Sequence, residues 1–414
     1  NPFKPSDDKS WLGDWVTVHR VVADILLELF RRKSTKDHFY PGHRSKVTGI
    51  LQYLLTFAES PSSDEERPEY GQLHHIAINS VRGRAFESLV NLVYLDGEVF
   101  RDDAKALYCQ VLEDSSLAVR FLVGRYLASF YTRDKAFVEE KLPDIFPKDD
   151  PEKFDIYLAT WEGYLSNSLY QELSEVLKPY YLHAISLEPS QYTDRKYFKE
   201  LDEALAVHLA LVFAYFDKDM NGDLFEAFWK QKNTKRHHEF ISFLGRDLLS
   251  RGQTTEKKLE VTGDVMEKLV NFWDWILGQS NTEDPEVLSA FGFWINPDRE
   301  VLTDIDVIER LNKTLKKSNG DLEWEYGFLN RLVSFAQKNP TTTFELITNY
   351  MLSPEGNLNQ HQSGMLRFHD EMKEALRIIY RSEDGIYKEQ VTELVSTLIE
   401  KGSQRFWGLK EILV

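Results

Sequence analysis

The stretch from Asn79 to Tyr131 constrains the fold more than any other, because here the chain repeats itself. Asn79-Ser80-Val81-Arg82 opens a segment that continues through Ala85, Phe86 and Leu89. Thirty-eight positions later Ser116-Leu117-Ala118-Val119-Arg120 opens another, which continues through Val123, Tyr126 and Leu127. Each copy has a polar turn, a Val-Arg pair and a Leu seven residues after the Arg. A unit of this length holds two helices and cannot bury its apolar face alone, so neighbouring units must stack.

A period near 40 with a polar turn and a helical apolar stripe is the signature of HEAT-type repeats. The predicted fold is all-α, an irregular HEAT-like α-solenoid of antiparallel helix pairs. A solenoid also suits the size: 414 residues, 42% hydrophobic, exceed what one compact core usually supports. Polar, proline-bearing breaks divide the expected array into residues 1–142, 143–253 and 254–414.

Apolar residues at Trp11, Trp15, Val18, Val22, Ile25, Leu29 and Phe30 recur every three or four positions, which predicts a first helix with that stripe facing the core. Pro41-Gly42 reads as a turn, and Ser60 to Pro68 as an exposed loop with little to bury. Tyr70 to Leu95 reads as one long helix or two broken at Gly83. Further helices are predicted over 102–112, 117–130, 136–142, 154–165, 169–187, 198–216, 224–229 and 238–249, then 261–277, 287–294, 307–315, 324–335, 343–351, 365–380, 391–399 and 406–413. Turn signals such as Asn296-Pro297, Ser318-Asn319-Gly320-Asp321, Ser353-Pro354 and Asp384-Gly385 separate the later ones. No stretch alternates like a strand between hairpin turns, so no sheet is expected.

Sixty-seven acidic against 50 basic residues give a formal charge of −17, which repels phosphate backbones and anionic membranes and favours a basic protein partner. The single Cys109 rules out an intramolecular disulfide framework and fits a reducing compartment, the cytoplasm by default. The longest apolar runs, such as Ala204 to Tyr215, fall short of a membrane span. The chain begins at Asn1 without an initiator Met or a charged-then-apolar leader, so no secretory signal and a piece of a longer protein are expected.

Asp217-Lys218-Asp219-Met220-Asn221-Gly222-Asp223-Leu224 matches the first eight positions of a calcium-binding EF-hand loop, where oxygens at 1, 3 and 5 and Gly at 6 meet a hard cation. The match fails at position 12, Phe228 in place of the bidentate Glu, so a plain helix-helix turn is the simpler reading of Asp217, Asp219, Asn221 and Asp223. His74-His75 and His237-His238-Glu239 lack partners at zinc spacing, and Lys230 to His238 reads as a basic inter-helix segment. Nucleotide-binding and nucleophile signatures are missing, so no catalytic residue and no cofactor is assigned.

Arg82, Arg84, Arg120 and Arg125 admit two readings: pairing with an acid of the adjacent turn, Asp96, Asp102 or Asp114, or forming a ligand-reading face. The aromatic cluster Trp273, Trp275, Phe291, Phe293 and Trp294 is likewise either a partner site or core between repeats. Trp273 and Trp275 project about 200° apart on a helix, so that helix must be contacted on two sides.

Two stretches carry a resemblance. Ile78-Asn79-Ser80-Val81-Arg82-Gly83-Arg84-Ala85-Phe86-Glu87-Ser88-Leu89, and Leu269-Val270-Asn271-Phe272-Trp273-Asp274-Trp275 with Phe291-Gly292-Phe293-Trp294, are similar to segments in the helical C-terminal regions of large bacterial NTPases of the STAND type, many implicated in antiphage defence. The resemblance implies a sensor array that recognises a phage protein, with effector and NTPase domains elsewhere through which oligomers form. The Walker motifs of that family are absent from this chain. The competing expectation is a metal-dependent or other enzymatic helical domain using the Asp217–Asp223 loop.

Overall fold

The structure is a computed structural model that describes residues 15–32, 40–57, 73–167, 169–192, 201–217, 222–249, 261–279, 284–295, 302–352, 369–382 and 386–401, with Phe406 and Leu409. Among them every regular element is a helix and no strand occurs. Trp11, the Ser60 to Pro68 loop, Asp219, Asn221 and the turns at Asn296-Pro297, Ser353-Pro354 and Asp384-Gly385 lie outside the described residues. The chain divides into two compact units, residues 1–208 and 209–414.

In the first unit α1 (Trp15–Arg31), α2 (Tyr40–Leu55), α3 (Leu73–Asn79) and α4 (Val81–Leu95) are followed by α5 (Asp102–Leu112), α6 (Leu117–Arg125), α7 (Leu127–Tyr131) and α8 (Lys135–Ile145). Then come α9 (Phe154–Leu165), α10 (Gln171–Val176), α11 (Lys178–Ser186) and the start of α12 (Leu201–Leu211). Packing stays local along the chain: α4 lies against α1 and α2, and α6 against α3, α4 and α9. The α6–α9 contact is the closest. A Cβ on Gly124 would stand 1.8 Å from the carbonyl oxygen of Thr160, and one on Gly163 1.9 Å from that of Phe121. Only glycine lets the two backbones come so near.

The two arginines of the repeated Val-Arg pair both reach the end of α5, in different ways. Arg82, at the start of α4, donates to Asp114 just past the end of α5, at 2.7 and 2.9 Å. Arg120, in the same place of the second copy, is buried and donates to the carbonyls of Leu112 (2.7 Å), Asp144 (2.6 Å) and Ile145 (2.8 Å), at the ends of α5 and α8. Arg120 thus places a cation where two helices leave carbonyls without partners, whereas Arg82 meets a carboxylate beyond the end of α5. Burial lowers the Arg120 guanidinium to about 10.

Several boundaries differ from expectation. Pro41-Gly42 lies in the first turn of α2 rather than in a turn between helices. Proline fits there because the first amides of a helix have no partner to lose. The expected break at Gly83 falls at Ser80 instead, whose hydroxyl caps α4 by accepting from the Gly83 amide at 3.0 Å. The stripe expected to be buried on α1 is largely its outer face: Trp15, Val18 and Ile25 are 51%, 47% and 53% exposed, while His19, Ala23, Leu26, Leu27 and Phe30 are buried. Of the seven residues of that stripe, Phe30 alone is buried among those described. Apolar residues run round well over half of α1, so spacing alone does not single out the buried side.

The second unit continues α12 into a π turn (Val212–Phe216), followed by α13 (Asp223–Lys230), α14 (Thr234–Phe243) with a second π turn (Leu244–Leu249), and α15 (Gly263–Gly278). Beyond α15 lie α16 (Pro285–Ser289) running into a 3₁₀ turn (Ala290–Trp294), α17 (Asp304–Lys317), α18 (Tyr326–Lys338), α19 (Pro340–Leu352), α20 (His369–Arg381) and α21 (Ile386–Glu400). Here α15 is contacted on two sides, as its Trp pair requires. Trp273 stacks on Phe291 at 4.8 Å and donates from its indole nitrogen to the Thr314 hydroxyl at 2.9 Å. Trp275 packs on Phe225 and Trp229, at 5.1 and 5.8 Å.

Candidate functional site: an aromatic platform at Trp324

Of the five aromatic residues singled out in the sequence, the structure buries three. Trp273, Phe291 and Trp294 lie in the core of the second unit, and the Trp294 indole donates to the carbonyl of Ile241 at 2.9 Å. Trp275 and Phe293 are half-buried. The arginines also have internal partners. Arg84 pairs with Asp24 (3.1 Å) and Glu87 (3.0 Å), Arg125 donates to the Ser166 hydroxyl at 3.2 Å, and Arg82 and Arg120 are engaged as described.

The Asp217–Asp223 loop is described only at its ends. The Lys268 ammonium donates to the carbonyls of Phe213 (3.0 Å), Ala214 (3.3 Å) and Asp217, where the π turn after α12 ends. A divalent ion at this loop would lie beside that fixed positive charge. Among the described residues no group of three or more His, Cys, Asp or Glu is placed to hold a metal. No helix among them is long and apolar enough to cross a membrane.

The surface feature that stands out is a residue the sequence reading placed inside a helix. The helix expected over 324–335 begins at Tyr326, which leaves Trp324 outside it, 58% exposed, with a φ of 51°. A left-handed conformation costs an ordinary L-residue roughly 1–2 kcal/mol, and for a bulky side chain it persists only when its surroundings impose it. The surroundings here do so. Asn319 and Gly320 turn the chain with φ values of 57° and 84°, and the Gly320 amide donates back to the Leu315 carbonyl at 2.8 Å. The Ser318 hydroxyl donates to the carbonyl of Asp321 at 2.6 Å, and Leu322 is buried.

Glu323, next to the strained residue, is held by both its backbone and its side chain. Its amide donates to the Ser289 carbonyl at 3.0 Å, and its carboxylate takes His238 Nε2 at 2.6 Å. Its carbonyl oxygen rests on Gly292, where a Cβ would stand 1.6 Å away. The hydrogen bond to Glu323 raises the His238 imidazole above its ordinary value, against the opposing effect of burial. With Glu323 pinned and Tyr326 committed to α18, Trp324 must turn outward.

The exposed indole belongs to a small aromatic platform. The Phe293 ring lies 6.4 Å away at an interplanar angle of 19°, and the Tyr326 ring 6.1 Å away at 56°. The Arg246 guanidinium sits 5.9 Å from the Phe293 ring centre and pairs with Glu239 (3.0 Å) and Asp247 (3.2 Å). Phe293 thus links the sequence-derived cluster to the surface. Trp324 itself was missed, although the Asn-Gly turn five residues before it signals chain reversal. Comparison of the chain with known protein families, with curated proteins and with solved structures finds no match.

Proposed function

We propose that this chain recognises another protein and contributes no chemistry of its own. In this reading each unit is a stack of HEAT-like helix pairs in an α-solenoid, which acts in the cytoplasm as the target-sensing region of a larger STAND-type NTPase in antiviral defence. The target is a basic or phage-derived protein. Support for the repeat reading comes from the local packing of each helix on those a few elements away, and from Arg82 and Arg120 both reaching the end of α5. Support for the sensor reading comes from the resemblance of the Ile78–Leu89 and Leu269–Trp294 segments alone.

The observation that carries the recognition reading is Trp324, an indole turned to solvent by a strained backbone that its neighbours enforce. Such strain collects at functional sites, and exposed aromatic residues dominate the energetics of protein interfaces. A photo-reactive benzophenone amino acid at position 324, with a control at the exposed Val99, tests this in the full chain. One defined protein crosslinked from position 324 and not from 99 is the expected result. Identical crosslinking from both positions, or none from 324, overturns it.

A further inference from the structure

We propose that the Trp324 platform takes a guanidinium or ammonium group from a basic segment of the partner, laid over the exposed indole; this rests on the recognition reading above. Three observations select a cation. The platform already accepts one, since Arg246 lies over Phe293, the ring nearly parallel to Trp324. An indole face attracts a cation more strongly than a phenyl face does. Around the platform stand five carboxylates, Asp321, Glu323, Glu325, Glu239 and Asp247, against Arg246 and the His238 paired with Glu323, so even with those pairs formed the local balance is negative and favours a cation over an anion.

The chain as a whole has the same bias, with a formal charge of −17. The Phe293 and Tyr326 rings contribute shape more than charge: they stand 6.4 and 6.1 Å from the indole, which stays 58% exposed. A purely apolar partner segment would find one exposed ring amid carboxylates, too little dry area to hold it. A phosphate-bearing ligand would meet the same carboxylates with the wrong sign. The chemistry that fits is an arginine- or lysine-rich stretch in extended conformation.

The test uses the full chain and four blocked, fluorescently labelled octapeptides of alternating residues: Arg-Ser, citrulline-Ser, Glu-Ser and Leu-Ser. Binding is read by anisotropy at low and at physiological salt. Citrulline keeps the planar shape of arginine without its charge, with three N–H donors and an acceptor oxygen in place of five donors. Trp324→Leu removes the indole without changing the protein's charge, so it separates stacking from general attraction to an acidic protein. The expected result is that the Arg-Ser peptide binds, with about fivefold loss in Trp324→Leu, the size of one exposed cation–π contact, and a larger loss on replacing its four Arg by citrulline, which also removes the general attraction to an acidic protein. Trp324→Phe should recover part of the loss.

Equal binding of the Arg and citrulline peptides overturns the inference, as does an Arg-peptide affinity unchanged in Trp324→Leu. Binding of the Leu or Glu peptide that depends on Trp324 overturns the cation inference and leaves the platform as a recognition surface. Absence of any Trp324-dependent binding overturns the cation inference, while the crosslinking at position 324 still decides the recognition reading by itself.

Discussion

Replacing Gly292 by Ala probes how Trp324 is held without touching Trp324. The added Cβ would stand 1.6 Å from the Glu323 carbonyl oxygen and 3.0 Å from Leu322 Cγ, so backbone must move. Even the tightest normal contact requires a retreat of about 1.5 Å. That retreat breaks the hydrogen bond from the Glu323 amide to Ser289, at about 1 kcal/mol, and loosens the half-exposed His238–Glu323 pair, at roughly 0.5 kcal/mol. Residual overpacking adds about 1–2 kcal/mol. The sum is about 3 kcal/mol, which for a unit of this size lowers the melting temperature by roughly 6–12 °C. Calorimetry on the full chain measures the melting shift, and hydrogen exchange over Leu315–Tyr326 reports whether the loop opens. Gly278→Ala is the control in the same unit, because nothing lies within 4 Å of its added Cβ. A Gly292→Ala protein that melts like wild type and protects 315–326 equally would refute the account of why Trp324 is presented.

The same logic in the first unit predicts that Gly124→Ala is strongly destabilising, its Cβ meeting the Thr160 carbonyl at 1.8 Å, while Gly49→Ala on open helix surface stabilises by about 1 kcal/mol; urea titration of both would show it. Trp294→Ala should cost about 3–5 kcal/mol by opening the core and removing its hydrogen bond to Ile241, whereas Trp15→Ser on the outer face of α1 should leave the melting temperature nearly unchanged. A near-neutral Trp294→Ala would return that residue to the list of surface candidates. For His238, the folded state raises the imidazole above its unfolded value, so its contribution is fully present below about pH 6.5 and is lost as pH rises through the folded value. Protection of 315–326 should therefore fall as pH rises above about 6.5 in the wild type and stay flat in Glu323→Gln. An identical pH response in both proteins would remove the His238–Glu323 pair as its cause.

What the sequence determined by itself is the helical class. Helix periodicity and capping act within a few positions, so the start of α6 after Ser116 was readable as a local signal, whereas the break before α4 was expected at Gly83 and lies at Ser80. The two-sided packing of α15 was also legible, because helix geometry alone sends Trp273 and Trp275 in opposite directions. Which apolar face is buried was decided only in three dimensions. On α1 the spacing of Trp15, Val18 and Ile25 suits a core face as well as that of the buried set, and only the packing of α1 on its neighbours chose between them.

Trp324 shows the same limit from the other side. Its sequence neighbours favour the start of a helix, and nothing within a few residues dictates a left-handed backbone. The constraint comes from Ser289, Gly292 and His238, 32 to 86 positions away in the sequence, which pin Glu323 and leave the indole no inward course. Local propensity acts through adjacent residues, whereas strain is imposed by contacts distant in the chain, so the most exposed tryptophan among the described residues of the second unit became visible only with the tertiary structure.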